Sequence, residues 1–187
     1  MLKRIGMILL LGGSLISCTT TSPNYQASDM TRNLAIDANV DQTLSELYQQ
    51  AKGSRELMGR AKGVLVFPSV LTAGLVVGAA YGEGQLRIGN QYAGYYKTMT
   101  GSVGFQAGAQ SKAIIFLFMT EESLDHFRKG NGWTAGVDAN VVLLKIGADG
   151  SVDTETAKAP VIGFVLTNGG LMFNVSLQGT KVSKLKP

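Results

Sequence analysis

One cysteine, one histidine and one tryptophan are all that 187 residues hold of these types. With Cys18 alone, no disulfide can form within the chain. With His126 alone, a histidine-rich metal cage is excluded, and no cysteine set replaces it. His126 precedes the apolar Phe127, a pattern that suits a helix surface better than a catalytic base. No Gly-x-Ser-x-Gly turn presents a serine nucleophile. The glycines lack the Gly-Lys-Ser/Thr ending of a phosphate loop, and Gly78 to Gly84 misses the dinucleotide spacing. Glu83, between two glycines, is the one acid in an unusual setting, and it is expected to hold a turn by accepting backbone hydrogen bonds. The expectation is a protein that is not an enzyme and needs neither cofactor nor metal.

The N-terminus has the layout of a secretory signal. Lys3 and Arg4 precede an apolar stretch from Ile5 to Ile16, too short to span a bilayer, which takes roughly 20 apolar residues. Leu15-Ile16-Ser17-Cys18 resembles the lipobox of bacterial lipoproteins. That resemblance implies cleavage after Ser17 and acylation of Cys18, so residues 1–17 read as a signal peptide. Thr19, rather than an aspartate, follows the cysteine, which by the same resemblance favours the outer membrane, facing the periplasm or the cell surface. Two or three acyl chains anchor a protein firmly where one does not.

Without Lys3 and Arg4 the Lys/Arg count falls from 17 to fifteen against 13 acids, and the net charge from +4 to +2. That charge is uneven. Residues 51–112 hold seven Lys/Arg and two acids, and residues 157–187 hold four lysines and no acid. Such asymmetry can mark a surface for an anionic partner.

Residues 18–28 are polar and read as a flexible tether, followed by one domain over 29–187. Its helical part is 29–60. Asp41 is placed to cap a helix carrying Leu44, Leu47, Tyr48 and Ala51, Gly53 ends it, and Ser54 is placed to cap a short turn with Leu57 and Met58. The β core is 61–187, where short apolar or β-branched runs alternate with glycine-bearing turns. Ala148–Ser151 and Asn168-Gly169-Gly170 carry turn chemistry, the second suited to a hairpin. Gly63 to Gly82 is uncharged, but Pro68-Ser69 interrupts it, so it reads as two buried strands joined by a bend. One helix interrupts the strands, capped by Thr120 and facing Leu124 and Phe127 inward. Gly74, Gly78, Gly82, Gly84, Gly101, Gly104 and Gly108 fall within strands, where glycine permits sharp bending or close backbone approach. The fold class expected is α+β and β-dominated: a strongly curved or folded-over antiparallel sheet with N-terminal helices and one inserted helix.

An ordered series of motifs carries a family resemblance. It comprises Ala61–Pro68 (AKGVLVFP), Ala73-Gly74, Tyr81-Gly82-Glu83-Gly84, the run from Gly101 to Ala109, then Leu124 and Phe127. Gly136, Ala139, Val141 and the run from Gly170 to Gly179 follow. From about Leu44 to Lys184 the chain resembles the SYLF domain, a family of lipid-binding proteins. It departs at Tyr95-Tyr96-Lys97-Thr98, where many members carry Trp-Ser-x-Pro, so ligand preference is expected to differ. The resemblance implies membrane association. Some eukaryotic members bind phosphoinositides through a basic amphipathic helix, and some bundle actin, a role not carried over to an exported lipoprotein.

Lys52, Arg55, Arg60 and Lys62 cluster where the helical part meets the β core. Beside an anionic surface such residues contribute about 1 kcal/mol each, and with the anchor at Cys18 they would hold the domain flat on a leaflet. Lys181, Lys184 and Lys186 read as a solubilising tail, and Trp133, Tyr92, Tyr95 and Tyr96 suit either a lipid interface or core packing. The expected partners are membrane lipids, either anionic phospholipids or phosphoinositide-like head groups. The alternative is a scaffold that binds a protein partner and has no specific lipid ligand. Nucleic acid is not among the expected partners.

Overall fold

The computed structural model describes residues 25–74, 77–103, 110–130, 132–144, 156–172 and 175–185. The signal segment, Cys18, the turn at 148–151 and Lys186 lie outside them.

Helix α1 spans Tyr25–Gln50. Ile36, Val40, Leu44 and Leu47 recur at helical spacing, and with Ala51 beyond its end they form one stripe no more than 6% exposed. The helix therefore starts before residue 29, and residues 25–28, read as tether, form its first turn. Asp41 sits within it and caps nothing, because the apolar stripe continues N-terminally through Ile36. Ser54 turns its hydroxyl back to the carbonyls of Ala51 and Leu47 (2.7 and 3.3 Å) and so satisfies the end of α1. Helix α2, Ser54–Arg60, follows at once, with Gly53 rather than Ser54 at its N-cap. The Lys62 amide then donates to the Phe118 carbonyl at 2.8 Å, and the sheet begins.

Among the described residues nine strands form one strongly curled, half-barrel sheet. They are β1 Gly63–Gly74, β2 Val77–Ile88, β3 Gln91–Val103, β4 Gln110–Phe118, β5 Trp133–Thr134, β6 Val141–Leu143, β7 Val161–Thr167, β8 Gly170–Leu171 and β9 Lys181–Lys184. The spatial order is β5-β9-β3-β2-β1-β4-β7-β6, with β8 paired to β7. The pairings are antiparallel except for β6 with β7, which is parallel. The expected α+β, strand-dominated class with a strongly bent sheet is what the structure has.

Pro68-Ser69 does not separate two strands. It lies in a bulge inside β1, where the register shifts between Val66 and Ser69 against β2 and between Phe67 and Val70 against β4. A bulge leaves backbone groups unpaired, so a residue without an N–H fits there. Opposite it, glycine is required for close approach. A Cβ on Gly84 would fall 2.1 Å from the Val66 carbonyl oxygen, and one on Gly82 would fall 2.7 Å from that of Ser69. Gly101 meets nothing within 4 Å, so close approach does not explain it. Gly104 and Gly108 lie outside the described residues.

Each sheet face carries a core. On one, Leu65, Phe67, Leu86, Phe116 and Phe118 pack with Leu124 and Phe127 of helix α3 (Glu121–Lys129) and with Trp133. Phe118 and Phe127 centroids stand 4.8 Å apart, and Phe116 and Trp133 5.4 Å apart. Trp133 is 2% exposed, a core residue. Thr120 caps α3 as expected, accepting from the Ser123 amide at 3.2 Å. On the other face Val64, Val66, Ile115, Leu117 and Phe164 pack under α1. Asn168 and Gly169 turn β7 into β8 as a hairpin.

Candidate functional site

Beneath the end of α1, between α2 and the turn joining β2 to β3, lies a cleft of about 330 Å³. Its turn is a two-residue hairpin connection. Gly89 and Asn90 have φ of 56° and 65°, the left-handed pair that a tight type I′ turn requires. Leu44, Tyr48, Met58, Ala61 and Val64 supply its apolar lining, and two arginines, Arg55 and Arg87, reach it from opposite sides.

Arg55 comes from the first turn of α2. Its guanidinium carbon lies 4.2 Å from the centroid of the Tyr48 ring. Stacking there holds the planar cation over an aromatic face while leaving its N–H groups free of that contact. Among the described residues no carboxylate lies within ion-pair distance of Arg55.

Arg87 comes from β2 and is held more tightly. Its Nη1 lies 2.7 Å from Asp41 Oδ1, and its side chain is 14% exposed. Its Nε donates to Gln85, whose amide in turn donates to Asp37. The Tyr95 hydroxyl also donates to Asp37, at 2.9 and 3.1 Å. Burial, with the Asp37 carboxylate beside it, pushes the Tyr95 hydroxyl up to about 12, so at neutral pH it remains a donor. A chain of hydrogen bonds from α1 to β3 thus fixes one arginine, while an aromatic ring seats the other.

The four basic residues singled out in the sequence do not act as one cluster. Arg55 lines the cleft. Lys52, in the turn after α1, and Arg60, at the end of α2, are exposed. Lys62 points elsewhere, with its Nζ 3.5 Å from Glu121 at the start of α3. Arg87 stands in the sequence as one of the seven basic residues of 51–112, and strand pairing with β1 brings it beside α1. Cys18 lies outside the described residues, so its acylation has no structural counterpart here.

Other chemistry-bearing residues stand apart from this cleft. Glu83 holds no turn. It sits within β2, where it accepts from the Tyr81 hydroxyl at 2.6 Å and faces Arg32 at 3.8 Å. His126 is exposed on α3. A second cleft, of about 320 Å³ between α1 and Tyr92, Tyr95 and Lys184, contains Arg32, which Asp29 already engages at 3.0 Å. Among the described residues no group of three His, Cys, Asp or Glu side chains is arranged to hold a metal. Among the described helices none is long and apolar enough to cross a membrane.

Fold and site together define a strand-dominated α+β domain with an amphipathic cleft lined by two arginines. Residues 99–186 match the family model described as "Ysc84: Las17-binding protein actin regulator", a Ysc84/SYLF-family match consistent with the resemblance to the SYLF domain. The match begins late in β3, so α1, α2, β1 and β2, which build the cleft, precede it. No curated protein is significantly similar to the chain.

Proposed function

We propose that the protein is a non-enzymatic, lipid-anchored module that binds anionic phospholipid head groups at the cleft between α1, α2 and the β2–β3 turn. The observation that carries this reading is the pairing of Arg55 and Arg87 over an apolar floor. Two guanidinium groups suit a phosphodiester, which they can grip through several N–H donors. The floor of Leu44, Met58 and Val64 suits the glycerol and first methylenes behind it. Lys52 and Arg60 add long-range attraction to a negative leaflet. In this reading acylation of Cys18 supplies attachment to the outer membrane, and the cleft supplies head-group preference and orientation.

The test is co-sedimentation of residues 19–187 with phosphatidylglycerol or phosphatidylcholine vesicles. Binding to the first alone, reduced about tenfold by Arg55→Glu with Arg60→Glu, supports the reading. Equal sedimentation with both lipids contradicts it.

The matched family description, a Las17-binding actin regulator, favours a second reading in which the domain binds a protein partner and the acyl group alone attaches it. One dominant crosslinked partner in cells, with no lipid preference in vitro, supports that reading.

A further inference from the structure

At the end of the sheet remote from the cleft, three large apolar side chains stand uncovered in one line. Leu71 pairs with Tyr81 across β1 and β2, and Tyr81 pairs with Met99 across β2 and β3. Directly paired residues point to the same face of a sheet. Here it is the face on which α1 lies, since Glu83, Gln85 and Arg87, at alternate positions from Tyr81, meet Arg32, Asp37 and Asp41. Leu71 is 58% exposed, Tyr81 45% and Met99 54%. The next pairs, Ala73 with Ala79 and Ala79 with Gly101, are exposed and small. The row is uncharged, while Lys181 pairs with Met99 at its end and Lys97 stands in the row behind it.

We propose that this row is a bilayer-docking surface, seated in the interfacial layer of a leaflet. The inference rests on the lipid-binding reading and adds the surface that enters the membrane. Three observations name a leaflet as the occupant. First, α1 descends along β2 toward the row, from Asp41 at Arg87 to Arg32 at Glu83. The chain thus leaves α1 at Tyr25 on this side, and Cys18 stands seven residues earlier, a reach of at most about 25 Å. An acyl anchor there holds a membrane beside the row. Second, an apolar strip bordered by Lys97 and Lys181 matches the order of acyl chain and phosphate in an anionic leaflet. Third, Tyr81 lays its ring in the row and turns its hydroxyl to Glu83 behind it, the amphipathic posture tyrosine takes at such interfaces. The cleft lies farther along the same face, with Arg87 six residues beyond Tyr81 on β2, about 20 Å away. With both ends of one face engaged, the domain lies with α1 parallel to the leaflet.

The test reads depth by tryptophan quenching in the mature protein mixed with phosphatidylglycerol vesicles carrying brominated acyl chains. Trp133 is buried in the opposite core and gives a constant background. Leu71→Trp and Met99→Trp are two independent reporters on the row. Gln49→Trp reports the cleft end, and Val137→Trp, at a site 79% exposed and off the row, is the control. The proposal expects quenching at 71 and 99 at least threefold deeper than at 137. Quenching at 49 alone overturns the row and leaves the lipid reading standing. Quenching at none overturns the row and leaves the lipid reading to the sedimentation test, and equal quenching at all four overturns the row as a specific surface.

Discussion

The Arg55 guanidinium is stacked on Tyr48, 4.2 Å from its centroid, at the rim of a cleft whose far side presents Arg87. Tyr48 comes from the last turns of α1 and Arg55 from the first turn of α2, so the short turn between the helices creates the contact. Replacing Tyr48 by leucine keeps the apolar floor and removes the aromatic face. Affinity for phosphatidylglycerol vesicles is expected to fall about twofold to fivefold, with little change in the urea midpoint, since an exposed cation–π contact is worth about 0.5–1 kcal/mol. An unchanged dissociation constant would show that the stacking does not orient Arg55.

Arg87→Met is expected to cost about 1–3 kcal/mol of stability. The ion pair itself supplies the smaller part, because Asp41 is 69% exposed and such pairs contribute under about 1 kcal/mol. The larger part comes from Gln85, buried at 2% exposure, whose carbonyl oxygen loses its donor. Urea unfolding of Arg87→Met beside Asp41→Ala separates the two. Asp41→Ala is expected to cost clearly less.

Gly84→Ala is expected to destabilise the fold by about 3 kcal/mol or more. The new methyl would meet the Val66 carbonyl at 2.1 Å and Phe67 Cδ1 at 2.7 Å, and one of the two is backbone in the centre of the sheet. Gly101→Ala, with open space around it, is expected to be tolerated, and the difference in thermal midpoint checks both.

Alkaline pH loosens the fold through its tyrosines. Burial and the neighbouring carboxylates of Asp37 and Glu83 push Tyr95 and Tyr81 up to about 12, from 10.0. A raised pKa means the folded state holds its proton more tightly than the unfolded chain. The contribution is complete below pH 10 and is lost as pH rises through 12. Urea midpoints between pH 9 and 12 are expected to fall, and Tyr95→Phe to flatten part of that fall.

Local signals were readable in the sequence where they were self-contained. The Thr120 cap, the inward Leu124 and Phe127, the Asn168-Gly169 hairpin and the glycine-rich bent sheet each depend on neighbours a few residues away. What escaped depends on distant partners. Asp41 precedes an apolar periodic run and so resembles a cap, yet its role is set by Arg87, 46 residues on. Pro68 resembles a strand break, but strands on both sides carry β1 through a bulge. Lys62 resembles a member of a basic patch, and Glu121 claims it only because α3 returns beside the start of β1. Half of the cleft was legible, as Arg55 on a helical edge. Arg87 was not, because only strand pairing brings it there.

The most direct measurement of the central claim is an NMR titration with short-chain phosphatidylglycerol below its micelle concentration. Saturable shifts of the Arg55 and Arg87 Nε–H signals and of Tyr48, absent with the phosphatidylcholine analogue, are the predicted result. Shifts of equal size with both lipids, or shifts confined to Lys158, Lys181 and Lys184 with the arginines unmoved, would contradict it.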